Sequence, residues 1–206
     1  MTWEPELEEL RQRQALAREM GGPDKIARQR AAGRLTVRER IGALLDSGSF
    51  HEIGSITGNG AYDETGALQS MTPTNFLFGR GLIEGRRVVV AGDDFTVRGG
   101  ASDASIIEKQ VAAEQMAHEL RLPMIRLIEG SGGGGSVKSL EAMGYTYVPF
   151  LPGFDHMVRN LATVPVVSLG LGPIAGFGAA KVVQSHYSLL VRGQSLEASM
   201  SHYLIQ

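Results

Sequence analysis

The 206-residue chain contains no cysteine. Disulfides, cysteine-ligated zinc and thiol nucleophiles are therefore excluded. Long apolar runs are also missing, and none approaches the ~20 residues of a membrane span. The first residues, MTWEPELEELRQRQ, are charged and hold no apolar segment of a secretory signal. A cytoplasmic protein without a membrane partner is expected. Neither sign of charge is in excess: the formal net charge of −2 argues against a surface dedicated to nucleic acid. His51, His118, His156, His186 and His202 lack HExxH spacing, so no metal site is expected. What the chain has in abundance is glycine, 27 residues, about twice the usual ~7%. These glycines cluster at strand ends and form no repeat, which excludes collagen-like and low-complexity readings. The length suits one substantial domain, or a domain with an N-terminal appendage.

Residues 6–20 set Leu7, Leu10, Ala17 and Met20 among charges and predict an amphipathic helix, stopped by Gly21-Gly22-Pro23. A second helix is predicted after Pro23, with Asp24 as its N-cap, through the basic stretch KIARQRAAGR. That stretch reads either as a solvated helical surface or as a contact for an anionic ligand or partner. In TVRERIGALLD, Thr36 followed by Glu39 is the signature of a capping box opening a third helix. From Phe50 the pattern turns to short strands, SFHEIGSIT, FLFGRGLIEG and RRVVVAGDD, with Glu84-Gly85 as a hairpin turn. Residues 103–120 carry Ile106, Ile107, Val111, Met116 and Leu120 on a helical stripe. PMIRLIE is the next strand and runs into four glycines. A helix is expected around residues 154–162, then the strand PVVSLGL, then the turn GPIAGFGA opening another helix. SHYSLLV is the last strand. Strand, glycine turn and helix in alternation predict an α/β architecture of stacked units.

The run LIEGSGGGGS admits a flexible linker, a phosphate loop or an oxyanion hole. A linker would not have strands and helices packed so closely around it. A Walker loop needs GxxxxGK[ST], which is absent; loose GxGxxG matches lack an acidic residue ending the next strand. The GxSxG elbow is absent too, since Ser131 and Ser136 have the wrong neighbours. His118 reads as a surface or core-edge residue, not a base. What remains is chemistry by the backbone. Glycine amides at a helix N-terminus point at one spot, and without a Cβ a carbonyl can approach them closely. One such donor contributes ~3 kcal/mol to an enolate-like transition state.

Four segments occur in order: RQRAAGRLTVRERIGALLDSGSFHEIG, DDFTVRGGASD, LIEGSGGGGS and LGPIAGFGAA. Together they resemble the carboxyltransferase β subunits of biotin-dependent acyl-CoA carboxylases, of the propionyl-CoA and methylcrotonyl-CoA carboxylase type. The first is similar to that family's N-terminal helical signature. The second is similar to its FTV-x-GGS turn, the third to its D-S-G-G turn, and the fourth to its GP-x-AGG-AA turn. The resemblance implies a crotonase-like fold of stacked ββα units over residues 49–206, after a helical extension, residues 1–48. It implies that amides among Gly132, Gly133, Gly134 and Gly135 hold the enolate oxygen. It further implies that Gly99, Gly100, Ala101 and Ser102, with Gly172, Ala175, Gly176 and Gly178, shape the acyl-CoA site. The glycine run is richer than D-S-G-G, which leaves the amide pair open. Glu129 either replaces the usual Asp or starts a shifted register. GYTYVPFLPGF departs from the family and leaves the acyl preference open.

The implied reaction moves CO2 from carboxybiotin to the α carbon, or a vinylogous γ carbon, of an acyl-CoA. Coenzyme A enters as part of the substrate, and no side-chain base or metal is required. Biotin would arrive on a separate carrier, because EAMGY lacks the lysine of an AMKM-type site. A biotin carboxylase/biotin carrier subunit is the expected partner, and a homo-oligomer, hexameric in full-length members, the expected assembly. Family members carry two crotonase-like domains, and GQSLEASMSHYLIQ loses the pattern. A truncated or frame-shifted product, diverging after about Arg192 and inactive alone, is therefore expected. Two alternatives stand: a non-catalytic subunit that binds acyl-CoA or assembles with full-length subunits, and a stand-alone crotonase-type hydratase or hydrolase. For the last, Glu141 is the candidate acid, against its simpler reading as a solvated residue at a helix start.

Overall fold

A computed structural model describes residues 2–101, 106–130, 141, 144, 154–192 and 196–197. Helices α1 (Glu4–Arg18), α2 (Pro23–Ala31) and α3 (Val37–Leu44) come first. Pro23, not Asp24, opens α2, and Gly22 is the N-cap at φ 93°. Proline's fixed φ suits the first helical position, where its missing N–H would be unpaired anyway. Asp24 instead lies in the first turn, toward the positive end of the helix dipole. The capping box of α3 forms as predicted: the Glu39 N–H donates to Thr36 Oγ1, and the Glu39 carboxylate accepts the Thr36 N–H at 2.7 Å.

Among the described residues the main sheet has seven strands. Its order is β1 (His51–Ile53), β4 (Phe76–Ile83), β5 (Arg86–Asp93), β6 (Met124–Gly130), β7 (Val166–Ala175) and β8 (Tyr187–Leu190), with β9 (Leu196–Glu197) also on β7. The β1–β4 and β4–β5 pairs are antiparallel, and the pairs from β5 through β8 are parallel. Glu84 and Gly85, both at positive φ, make the predicted hairpin turn with the handedness that suits strand twist. A separate antiparallel hairpin, β2 (Gly58–Tyr62) with β3 (Leu68–Pro73), is not legible as alternating apolar strands.

Side chains alternate across this sheet and build a core on each face. On one, Val37, Ile41 and Leu45, along and just beyond α3, pack on Leu77, Val88, Val90, Ile125 and Leu127. On the other, α4 (Ile107–Leu120) covers Phe76, Phe78, Val89, Ala91 and Met124 with Ala113 and Ala117. Helix α5 (Phe154–Thr163) borders the same face, and α6 (Phe177–Val183) seats Ala179 and Val182 on Ile128 and Ile174. β6 is buried along its whole length, which is why it reads as a nearly continuous apolar run.

Two elements differ from the sequence reading. On α4 the buried positions are Lys109, Ala113, Glu114 and Ala117, while Leu120 is exposed. Small alanines let the helix approach the sheet. Its two buried charges are paired: Lys109 donates to the Gly54 carbonyl at 2.9 Å, and Glu114 accepts from Arg126 at 2.7 Å. β7 also runs on through Gly172, Pro173, Ile174 and Ala175, so the predicted turn contracts to Gly176. The extra length has partners on both sides, Gly130 of β6 and Leu196 of β9.

Candidate functional site

Parallel strands β5, β6 and β7 end side by side, where the turns after β5 and β7 lie. The first turn, after β5, is built by local polar contacts. Asp94 accepts the Thr96 N–H at 2.9 Å and its hydroxyl at 2.6 Å, and that hydroxyl accepts the Gly21 N–H at 2.9 Å. Asn75 Nδ2 donates to the Ala101 carbonyl at 2.6 Å and holds the far side of the turn. Arg98, Gly99 and Gly100 then run through positive φ in succession (51°, 62° and 68°), which turns the chain sharply. Gly21, at a helix break in the sequence, has a second duty here, since a Cβ on it would overlap the Thr96 backbone.

The turn after β5 meets the end of β6 backbone to backbone. A Cβ on Gly100 would stand 2.7 Å from the Glu129 carbonyl oxygen and 2.8 Å from Gly130 Cα. One on Gly130 would stand 2.9 Å from the Gly100 carbonyl oxygen. Only glycine fits either position. On β7, a Cβ at Gly172 would overlap the Glu129 carboxylate, and one at Gly178 would press on Ile174 at 3.0 Å.

Glu129 is the residue on which these segments converge. It is 1% exposed, and its carboxylate is ion-paired to Arg40 at 2.5 Å and Arg34 at 3.3 Å. Gln29 Nε2 donates to the same carboxylate at 2.9 Å. Arg40 also donates to the Leu171 carbonyl on β7 at 3.1 Å, and Arg34 lies over the Phe95 ring at 5.0 Å. The basic stretch therefore divides: Arg34 turns inward to Glu129, while Arg30 pairs with Glu39 at the surface. Glu129 receives helices α2 and α3 from one side, Gly100 from a second and Gly172 from a third. Glu129, in the third motif segment, thus meets the first and the fourth through its carboxylate and the second through its main chain.

Beneath them lies a second polar cluster. The Glu129 N–H donates to Asp93 Oδ2 at 3.3 Å. Burial pushes the Asp93 carboxyl up to about 6, with Lys181 and the Glu129 N–H opposing the shift. Lys181 Nζ donates to Gln110 at 2.8 Å between the Phe76 and Phe177 rings, and its own burial draws its pKa down. Asp93, Gln110 and Lys181 border a cavity of about 20 Å³, room for one water. The acids here are committed, Glu129 to two arginines, Asp93 to an amide and Asp94 to Thr96. This end of the sheet offers a ligand closely packed main chain.

Of the residues singled out in the sequence, Gly100 and Gly172 are brought together at Glu129, and Gly178 packs under them against Ile128 and Ile174. Gly99 faces the Phe95 ring, Ala175 ends β7 in the core, and Gly176 caps α6 at φ 60°. Ala101 closes the first turn. Gly132, Gly133, Gly134, Gly135 and Ser102 lie outside the described residues. Glu141 is exposed, and His118 sits at the α4–α5 edge, 3.2 Å from Thr163 Oγ1. Sequence reasoning missed Arg40, Gln29, Asp93 and Lys181. Arg40 alone carried a signal, as a charge on the inner face of a well-capped helix.

Residues 28–196 match the model of the carboxyl transferase domain family. The propionyl-CoA carboxylase beta chain of Roseobacter denitrificans is 32% identical over 190 residues, 92% of this chain and 36% of its own length. Methylmalonyl-CoA decarboxylase subunit alpha of Propionigenium modestum is 32% identical over 160 residues, 76% of this chain and 29% of its own. Among solved structures, the transcarboxylase 12S hexamer with methylmalonyl-coenzyme A and methylmalonic acid bound superposes with a TM-score of 0.74. That match has 23% identity and covers 99% of this chain and 39% of that one. The chain thus spans between 29% and 39% of the length of these relatives, and its fold is crotonase-like. Family model and fold together place it: the chain belongs to the carboxyl transferase domain family.

Proposed function

We propose that this chain supplies the acyl-CoA-binding part of a biotin-dependent carboxyltransferase. The observation that carries the reading is the convergence on Glu129. Segments far apart in sequence pack there so that Gly100, in the turn after β5, and Gly130, at the end of β6, touch without side chains between them. Such a surface suits a thioester carbonyl, whose oxygen approaches main-chain N–H groups only where no Cβ stands in the way. In this reading Gly99, Gly100, Gly172 and Gly176 shape the acyl-CoA site, and Gly132, Gly133, Gly134 and Gly135 supply the amide donors. The relatives' names, propionyl-CoA carboxylase and methylmalonyl-CoA decarboxylase, support a short acyl-CoA with an acidic α carbon.

Biotin on a separate carrier would bring the CO2 in this reaction. The cavity that Asp93, Gln110 and Lys181 border, about 20 Å³, is too small for a biotin ring. What the chain's own residues do is bind and orient the thioester and hold negative charge on its oxygen. The hexamer of the transcarboxylase supports a homo-oligomer as the working assembly. A second reading is acyl-CoA binding without turnover by these residues. Calorimetric titration separates these from a hydratase or hydrolase. Propionyl-CoA should bind the isolated chain more tightly than free coenzyme A, with no release of thiol and no carboxylation when a carboxylated carrier is added. Failure to bind propionyl-CoA would overturn both readings, and thiol release would favour a hydrolase.

A further inference from the structure

We infer that Glu129 is a positioning residue, through which the N-terminal helices set the place of the Glu129–Gly130 end of β6 against Gly100. The inference rests on the acyl-CoA-binding reading and extends the site to residues that touch no substrate. Its basis is the asymmetry of Glu129's contacts. Among the described residues, every polar partner of its side chain comes from the N-terminal helices and the loop between them: Gln29 on α2, Arg34 after it, and Arg40 on α3. Its main chain, by contrast, belongs to the site, with its N–H on Asp93 and its carbonyl against the place of a Gly100 Cβ.

A purely cohesive role would not need this arrangement. Buried ion pairs contribute little net stability compared with apolar residues of the same shape, but losing one partner is costly. One hydrogen bond from Gln29 and ion pairs with Arg34 and Arg40 hold the carboxylate from three directions. The Glu129 carboxylate also fills the space over Gly172, so β7 is held in step with β6. Helices α2 and α3 thereby act on the stretch from Glu129 to Gly130, immediately before the glycine run.

The test uses this chain and two readouts, propionyl-CoA affinity by calorimetry and amide exchange at Gly100, Glu129 and Gly130 by NMR. Glu129→Gln keeps the shape and removes the charge. It should weaken propionyl-CoA binding at least tenfold and speed exchange at those three amides. The double variant Glu129→Gln/Arg40→Met should recover much of the lost melting temperature without recovering affinity, a split that a merely cohesive role would not give. Val164→Ala, in the core on the α4 side, should lower the melting temperature and leave affinity unchanged. Unchanged exchange at Gly100 and Gly130 in Glu129→Gln would overturn the inference, as would affinity that simply follows melting temperature. If the wild-type chain binds no propionyl-CoA yet the exchange changes as stated, the functional reading falls and the positioning of the β6 end stands.

Discussion

Gly172 stands where the Glu129 carboxylate needs room. A methyl group there must displace a carboxylate already fixed by Arg34, Arg40 and Gln29. Gly172→Ala is therefore expected to destabilise the fold by about 1–3 kcal/mol, the usual scale of overpacking. An unchanged urea midpoint would show that Glu129 moves aside freely. Asp93 gives a prediction of opposite character. Its carboxyl titrates at about 6 in the fold, against an ordinary 3.8. Between those pH values the folded form keeps a proton that the unfolded form has lost. Its stabilising contribution is thus present below pH 4 and lost as pH rises through 6, on the order of 3 kcal/mol. Asp93→Asn removes the dependence, so the variant's stability relative to wild type should rise between pH 4.5 and pH 7.5. An equal difference at both pH values, by urea denaturation, would refute the shift. At this scale the sequence displays the acids and the glycines but not who meets whom. Glu129 and Gln29 are 100 residues apart, and nothing local to either names the other.

Helix α3 shows how far local rules reach. Its capping box is legible because both reciprocal hydrogen bonds lie within four residues. Thr36→Ala should cost about 1 kcal/mol, the typical loss for a cap. Gly42, exposed in the same helix with open space at its Cβ position, should accept alanine and gain about 0.5–1 kcal/mol. Thermal denaturation of the two variants should move in opposite directions, and movement in the same direction would contradict the local account. Other elements were less legible, each for a physical reason. The β2–β3 hairpin lacks apolar alternation and is held by its turn, where Asp63 accepts from the N–H groups of Thr65 and Ala67. The stripe on α4 misleads because burial there follows the alanines and paired charges, while the larger apolar side chains sit at its border. The extension of β7 depends on Gly130 and Leu196 as neighbours, information held on other strands.

For the whole molecule, strand and helix alternation made the fold class legible, but the order of strands across the sheet is a tertiary fact with no local signal. That order leaves β8 at an edge of the main sheet. Among the described residues β8 pairs with β7 alone, and Ser188 anchors it inward by donating to the Val182 carbonyl at 2.7 Å. Tyr187, Leu189, Leu190 and Val191 are nevertheless exposed, Tyr187 to 60%, with Val183 exposed at 68% nearby. Residues 186–191, HYSLLV, carry no lysine, acid or proline of the kind that protects natural edges. An edge strand of this composition offers unpaired backbone groups and a contiguous apolar surface to another chain. The isolated chain is therefore expected to self-associate, with a sedimentation coefficient that rises with concentration. Leu189→Lys places a charge in the middle of the strand and should shift the distribution toward monomer. Because Leu189 is 42% exposed, the same substitution should change stability by no more than about 0.5 kcal/mol, which separates loss of association from loss of fold. A wild-type chain that sediments as a monomer at every concentration would show that this edge is already protected within one molecule.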